Sequence, residues 1–192
     1  AALPPQAEAS AGRRALMTCF YILMLVVLPP VSLLPIFPAF WLFDKIDYFI
    51  AGWTDISYLW FLPLLTWPTA IGLIAFTVLL MAALRWAILP RVTSGSWSIH
   101  SGFYARKWTV ALATEVTLET LSSLFATIYM RAWYRLMGAS IGKGAEISTN
   151  LSGRYDLTGI GAGNFIADEV VFGDEDMRRG YMRLDATRTG EQ

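Results

Sequence analysis

Asp168, Glu169, Asp174, Glu175 and Asp176 fall within nine residues, and Arg178-Arg179 follow directly. Carboxylates at this density can hold a cationic amine such as a lysine side chain, or they can contact a neighbouring domain. The same residues are read more readily as a solvated loop at the edge of a solenoid. Chemistry elsewhere is sparse. The one histidine, His100, lies in a Gly/Ser-rich turn with only Ser98 and Ser101 beside it, and it reads as a surface or interfacial residue because general-base catalysis needs a positioned partner. Cys19 sits alone inside an apolar run, which excludes a disulfide framework and a thiol-ligated metal. The glycines of "GIGAGNF" (Gly159, Gly161, Gly163) do not have the spacing of a dinucleotide fingerprint, and no long helix follows them.

The acidic run closes a stretch with its own rhythm. Ile141 and Ile147 are six residues apart, as are Ile160, Ile166 and Phe172; the interval from Ile147 to Ile160 is two sixes plus one inserted residue. A six-residue apolar period predicts a left-handed parallel β-helix of hexapeptide repeats, in which the apolar residue points inward at every step and three units close a coil. Gly142, Gly161, Ala167 and Gly173 are small enough to turn the corners. A pair of hairpins with Gly-rich turns would satisfy the same residues. Roughly two coils are present, and Thr189-Gly190 stand where another unit would begin, so the repeat reads as cut off in mid-course. Residues 138–192 hold 6 basic and 9 acidic residues, and no basic patch suited to nucleic acid occurs in the sequence.

The elements ahead of this repeat read as membrane-embedded. Of the 192 residues, 55% are hydrophobic and 16% charged, a balance more apolar than soluble domains usually carry. Residues 15–43 and 56–84 are two uncharged runs of 29 residues each, beyond the roughly 20 needed to cross a bilayer. Pro29, Pro30, Pro35 and Pro38 predict a kink or break in the first. A signal peptide is disfavoured by the length of that run and by the lack of a small-residue cleavage site. Arg13 and Arg14 precede the first run and Arg85 and Arg91 follow the second, whereas the connector holds Asp44, Asp47 and Asp55 against Lys45. The positive-inside rule then places both ends on the cytoplasmic side of the inner membrane. Trp41, Tyr48, Trp53, Tyr58, Trp60 and Trp86 suit headgroup-level anchoring.

The expected organisation is therefore a linker at 1–14, a two-span transmembrane hairpin at 15–92, a turn and amphipathic or interfacial helices at 93–137, and a partial hexapeptide-repeat β-helix domain at 138–192. In the third part Trp108, Leu112 and Val116 form one apolar stripe, and Val110, Leu118, Leu121, Phe125, Ile128 and Tyr129 another. The composition of residues 1–14 and the interrupted repeat read as an excised piece of a longer protein.

Four motifs occur in order: "LRWAILPRV", "SWSIHSGFYARKW", "YMRAWYRLMGASIGKGAEIST" and "YDLTGIGAGNFIADEVVFGDEDMRRGYMRL". In this combination the chain resembles the C-terminal membrane and condensation region of non-ribosomal peptide synthetases of the epsilon-poly-lysine-synthetase type. The resemblance runs from about Leu84 to Thr189 and is most specific at "IADEVVFGDEDMRRGYM".

That resemblance implies a multi-pass membrane segment interleaved with tandem soluble domains, similar to hexapeptide acyltransferases, that join amino acids into short isopeptide polymers. It implies ATP for an adenylation domain and phosphopantetheine on a carrier domain elsewhere in such a synthetase, and no cofactor or metal in this part. Partners would be the bilayer, the carrier domain, sister soluble domains and an amino acid substrate. Amide formation from a thioester needs a neutral amine, a proton acceptor and stabilisation of the oxyanion. The resemblance makes Asp168, Glu169, Asp174, Glu175, Arg178 and Arg179 candidates for contact with substrate or domain, and it leaves the catalytic residues unassigned. Hexapeptide acyltransferases usually employ a histidine, and residues 138–192 contain none, so this segment is expected to be inactive alone. Two other readings stand beside a condensing region. One is a non-catalytic membrane scaffold of such a synthetase. The other is a membrane-attached hexapeptide acyltransferase, which would require a histidine and further coils downstream.

Overall fold

The computed structural model describes residues 8–50, 55–89, 91–120, 129–149, 151, 154–167, 170–173 and 175–190. Among the described residues five α-helices and eight short strands lie in the order α1 (Ala11–Ser32), α2 (Ile36–Ile50), α3 (Asp55–Ile88), β1 (Gly95–Ser98), α4 (Gly102–Thr120), α5 (Tyr129–Leu136), β2 (Ser140–Ile141), β3 (Glu146–Ile147), β4 (Thr158–Ile160), β5 (Phe165–Ile166), β6 (Asp176–Arg178), β7 (Tyr181–Leu184) and β8 (Thr187–Arg188).

Helix α1 begins at Ser10, whose hydroxyl accepts from the Arg13 amide at 3.3 Å and so satisfies one of the first-turn donors. It carries Pro29 and Pro30 within its last turns and gives way at residues 33–35 to a turn, where proline chemistry in the sequence predicts the break. Helix α2 resumes at Ile36 and packs on α3. Two helical segments, Ala11–Ile46 and Thr66–Ile88, are long and apolar enough to cross a membrane. Only 11% of the most apolar stretch of the first and 22% of that of the second are buried against the other described residues. Trp41, Tyr48 and Trp60 project outward; Trp53 lies outside the described residues.

Helix α4 runs beside α1 in the same direction. Arg13 Nε donates to the His100 carbonyl at 2.8 Å, the rings of Tyr21 and Trp108 meet edge-on at 4.7 Å, and Leu28 and Val31 lie next to Ala113 and Thr117. The C-terminal half of α3 runs oppositely along α4, with the Thr117 hydroxyl 3.7 Å from the Met81 sulfur. Thr109, Thr114 and Thr117 are buried here, and each hydroxyl donates to the carbonyl four residues earlier, so none of these three hydroxyls is stranded. The other flank of α4 faces the strand region, through Lys107 to Glu175 and Thr114 to Tyr155. Of the second predicted stripe, Val110 and Leu118 are buried, and Leu121, Phe125 and Ile128 lie outside the described residues.

The strand region carries the six-residue register. β2, β4 and β8 form one parallel sheet in that order and β3 pairs with β5 in another. Ile141 lies beside Ile160 and Ile147 beside Ile166, each pair 19 residues apart, three sixes and one extra. All four isoleucines are buried and Phe172 packs against the same core. β8 joins β4 with Gly159 beside Arg188, so Thr189-Gly190 follow in the register of Ile160-Gly161. That step is longer because it contains the β6–β7 hairpin. The hairpin turns through Arg179 (φ 50) and Gly180 (φ 77), two consecutive positive-φ residues that match strand twist in a two-residue loop. β1 adds to β7 antiparallel, tying the segment before α4 to the end of the chain's described part. The described strands make small sheets and close neither a barrel nor a solenoid.

Helix α5 supplies the lid of this core: Met130, Trp133, Tyr134 and Met137 turn inward against β2 and β3. Gly142 is required by closeness, since a Cβ there would overlap the Ala162 backbone in the adjacent strand layer.

Candidate functional site

The acidic run that the sequence singles out divides in the structure. Asp168, Glu169 and Asp174 lie outside the described residues. Glu175 turns inward and forms an ion pair with Lys107 of α4, with only 5% of the lysine side chain and 20% of the glutamate side chain exposed. Arg178 pairs instead with Asp176 within the β6–β7 hairpin, 2.8 Å apart and largely exposed. Arg179 occupies the hairpin turn. Glu175 is thus separated in role from Arg178 and Arg179, although the three are close in sequence.

Next to the Lys107–Glu175 pair stands Arg154, buried, whose Nη2 donates to the Thr187 hydroxyl at 3.2 Å. Gly173 curves around this guanidinium with φ 69; a Cβ on Gly173 would overlap it. Burial and the Arg154 charge push the Lys107 ammonium down to about 8, while Glu175 across the contact favours its charged form.

A second polar contact joins the end of the long apolar helix to the strand region. Arg85, in the last turn of α3, is fully buried and pairs with Asp156. The same carboxylate oxygen accepts from the Val92 amide at 2.9 Å, and Arg85 Nη1 donates to the Leu89 carbonyl at 3.3 Å. Thus Asp156 fixes both the helix end and the chain leaving it. Gly138 belongs to this contact, with φ 111 and no room for a Cβ against the Asp156 carboxylate. The arginine that the sequence reads as an orientation signal is therefore also a structural strut.

Two tyrosines complete the polar interior. Tyr134 donates to the Thr149 carbonyl, and burial raises its phenol well above the usual value. Burial pushes Tyr155 up to about 12, with its hydroxyl 3.5 Å from that of Thr114. Neither ionises near neutral pH, so both act as neutral hydrogen-bonding groups.

Outside the β2–β4–β8 sheet lies an open groove of about 700 Å³, floored by Gly142, Gly159 and Gly161 and bounded by Thr93, Asp156 and Arg188. Thr158, Ala162, Ala186 and Thr189 also line it, so backbone and small side chains share its surface. Glu175, Arg178 and Arg179 do not line it. Among the described residues no cluster of three or more His, Cys, Asp or Glu side chains converges as a metal site.

The sequence reading missed Asp156, Arg154 and the pairing of Lys107. Each lies next to apolar residues in the sequence, and burial of such charges is tolerated only with a partner. That setting was the available signal, but sequence cannot supply the partner's identity.

No family model matches the chain, and no solved structure matches it. It is 33% identical over 195 residues, across its whole length, to part of the Delta-poly-L-ornithine synthetase of Acinetobacter baumannii, strain AB307-0294. The chain spans 15% of the length of that relative. This similarity supports a relationship with poly-amino-acid synthetases, without distinguishing the epsilon-poly-lysine type that the motifs resemble.

Proposed function

We propose that this chain is the membrane-embedded condensing region of a poly-amino-acid synthetase, which joins carrier-bound aminoacyl thioesters to the amines of lysine-like or ornithine-like amino acids as short isopeptide polymers. The observation that carries the reading is the similarity, 33% identity across the whole chain, to a protein named Delta-poly-L-ornithine synthetase. The two apolar helical segments support a multi-pass anchor in the cytoplasmic membrane with both described ends on the cytoplasmic side. The 19-residue steps between buried isoleucines support a strand region that is the start of a left-handed parallel β-helix. ATP and phosphopantetheine belong, in this reading, to adenylation and carrier domains elsewhere in the synthetase.

Condensation needs the incoming amine neutral and close to the thioester carbonyl. The groove beside Gly142 and Gly159 suits the extended arm that would carry that thioester, and the acidic run suits the cationic end of the substrate. A second reading, a non-catalytic scaffold that presents the loaded carrier to another domain, is favoured by the lack of histidine in residues 138–192 and by the engagement of Glu175 with Lys107.

The deciding experiment substitutes Asp168→Asn, Asp174→Asn and Glu175→Gln in the complete synthetase and measures polymer formation together with aminoacyl loading of the carrier. Lost polymer with loading intact is the expected result. Undiminished polymer output would remove these acids from condensation and leave the scaffold reading.

A further inference from the structure

Where α1, α3 and α4 come together beside the end of the second apolar segment, the helices leave an open groove of about 510 Å³. This lies within the usual size of a ligand site. Its walls are Phe20 and Met24 from α1 and Trp86, Ala87 and Ile88 from α3, and its single cation is Arg106 from α4. The Trp86 wall is fixed: its indole Nε1 donates to the Leu136 carbonyl at 3.0 Å, and the Arg85 guanidinium sits 4.0 Å from its ring centroid on the inner side. Arg106 is exposed, and it makes no ion pair among the described residues. Its neighbour Lys107 turns the other way, to Glu175.

An apolar slot with one exposed guanidinium, outside any ion pair among the described residues, selects an amphipathic anion. Phosphate, like carboxylate, matches a guanidinium in geometry and charge, and it is the anion that lipid headgroups carry at this depth. The slot opens where the segment Thr66–Ile88 ends, the depth at which tryptophan and arginine meet headgroups if that segment crosses a bilayer. The neighbouring charges favour an anionic lipid over a zwitterionic one: Arg13 and Arg14 begin α1 and Arg91 follows α3.

We propose that this groove binds one anionic glycerophospholipid, its phosphate on Arg106 and an acyl chain along Phe20, Met24 and Ile88. The proposal rests on the membrane-embedded reading. A bound lipid would fill the gap between α1 and α3 and fix α4, which in turn carries Lys107 and Thr114 against the strand region.

The test is native mass spectrometry of the complete protein, extracted in mild detergent and incubated with phosphatidylglycerol, phosphatidylcholine or inorganic phosphate. The wild-type protein should retain one phosphatidylglycerol in preference to phosphatidylcholine, and inorganic phosphate should not displace it. Arg106→Gln removes charge-assisted hydrogen bonds and should lower retention about tenfold; Ala87→Trp, which fills the slot, should lower it similarly. Equal retention by both variants, equal retention of phosphatidylcholine, or displacement by inorganic phosphate would overturn the site. Carbonate extraction of membranes separates the two ideas. Release of the protein by carbonate defeats the membrane reading itself, whereas a carbonate-resistant protein whose variants keep their lipid defeats only this site.

Discussion

Replacing Asp156 by Asn tests whether the long helix is locked to the strand region through one carboxylate. The substitution keeps the shape and an oxygen that can accept from the Val92 amide, but it removes the charge facing Arg85. The Arg85 side chain is 1% exposed and that of Asp156 12%, so water cannot replace the lost partner without local opening. Breaking a buried pair by removing one charge costs about 3–5 kcal/mol, because the remaining ion stays desolvated and uncompensated. For a protein of this size that corresponds to a fall in Tm on the order of 10 °C, read by thermal unfolding of the detergent-solubilised chain. Arg85→Met should also destabilise, since it strands the carboxylate. The double variant should be no worse than either single one, because neither charge is then left alone in the interior. A loss below about 1 kcal/mol for Asp156→Asn, or strict additivity in the double variant, would refute a locking pair.

Two further outcomes follow from the same interior. Lys107 has a folded-state pKa near 8 against about 10.4 for an unfolded chain, so between those values the unfolded chain binds more protons and the contribution of this group to stability must rise with pH. Wild-type protein should therefore gain stability relative to Lys107→Met on going from pH 8 to pH 10 in chemical-denaturation curves; a flat difference would contradict a lowered pKa. Gly142→Ala should destabilise by about 1–3 kcal/mol through overlap with the Ala162 backbone, whereas Gly163→Ala meets no neighbouring atom and should cost only the strain of its positive φ, about 1 kcal/mol, in the same denaturation assay.

Periodicity made a large part of the architecture readable. Two long uncharged runs mark where the apolar helices lie, though not their lengths, and prolines at 29, 30, 35 and 38 mark the region where the first breaks, because a missing amide donor and a clashing ring act locally. The isoleucine spacing likewise foretold which residues stack: the one inserted residue between Ile147 and Ile160 reappears as the 19-residue step of the parallel pairs. Spacing did not distinguish a repeat from hairpins; the described strands pair in parallel at Ile141 with Ile160 and Ile147 with Ile166 without closing a solenoid, and the β6–β7 hairpin lies beyond that stretch. The acidic run was visible as a composition, but its division was not. Glu175 faces inward because Lys107, 68 residues earlier, stands opposite it, and Arg178 faces out because its partner is two residues away.

The division between the two sources of information follows from range. Apolarity, the proline break and the spacing of the stacked isoleucines are set by neighbours along the chain, so the sequence alone determined them. Arg85 with Asp156, Lys107 with Glu175, and the lone Arg106 over an apolar slot depend on which helices and strands come together, across separations of up to 71 residues. A buried charge must find a partner, but desolvation specifies only that need and not the partner's position. Tertiary packing supplied the positions.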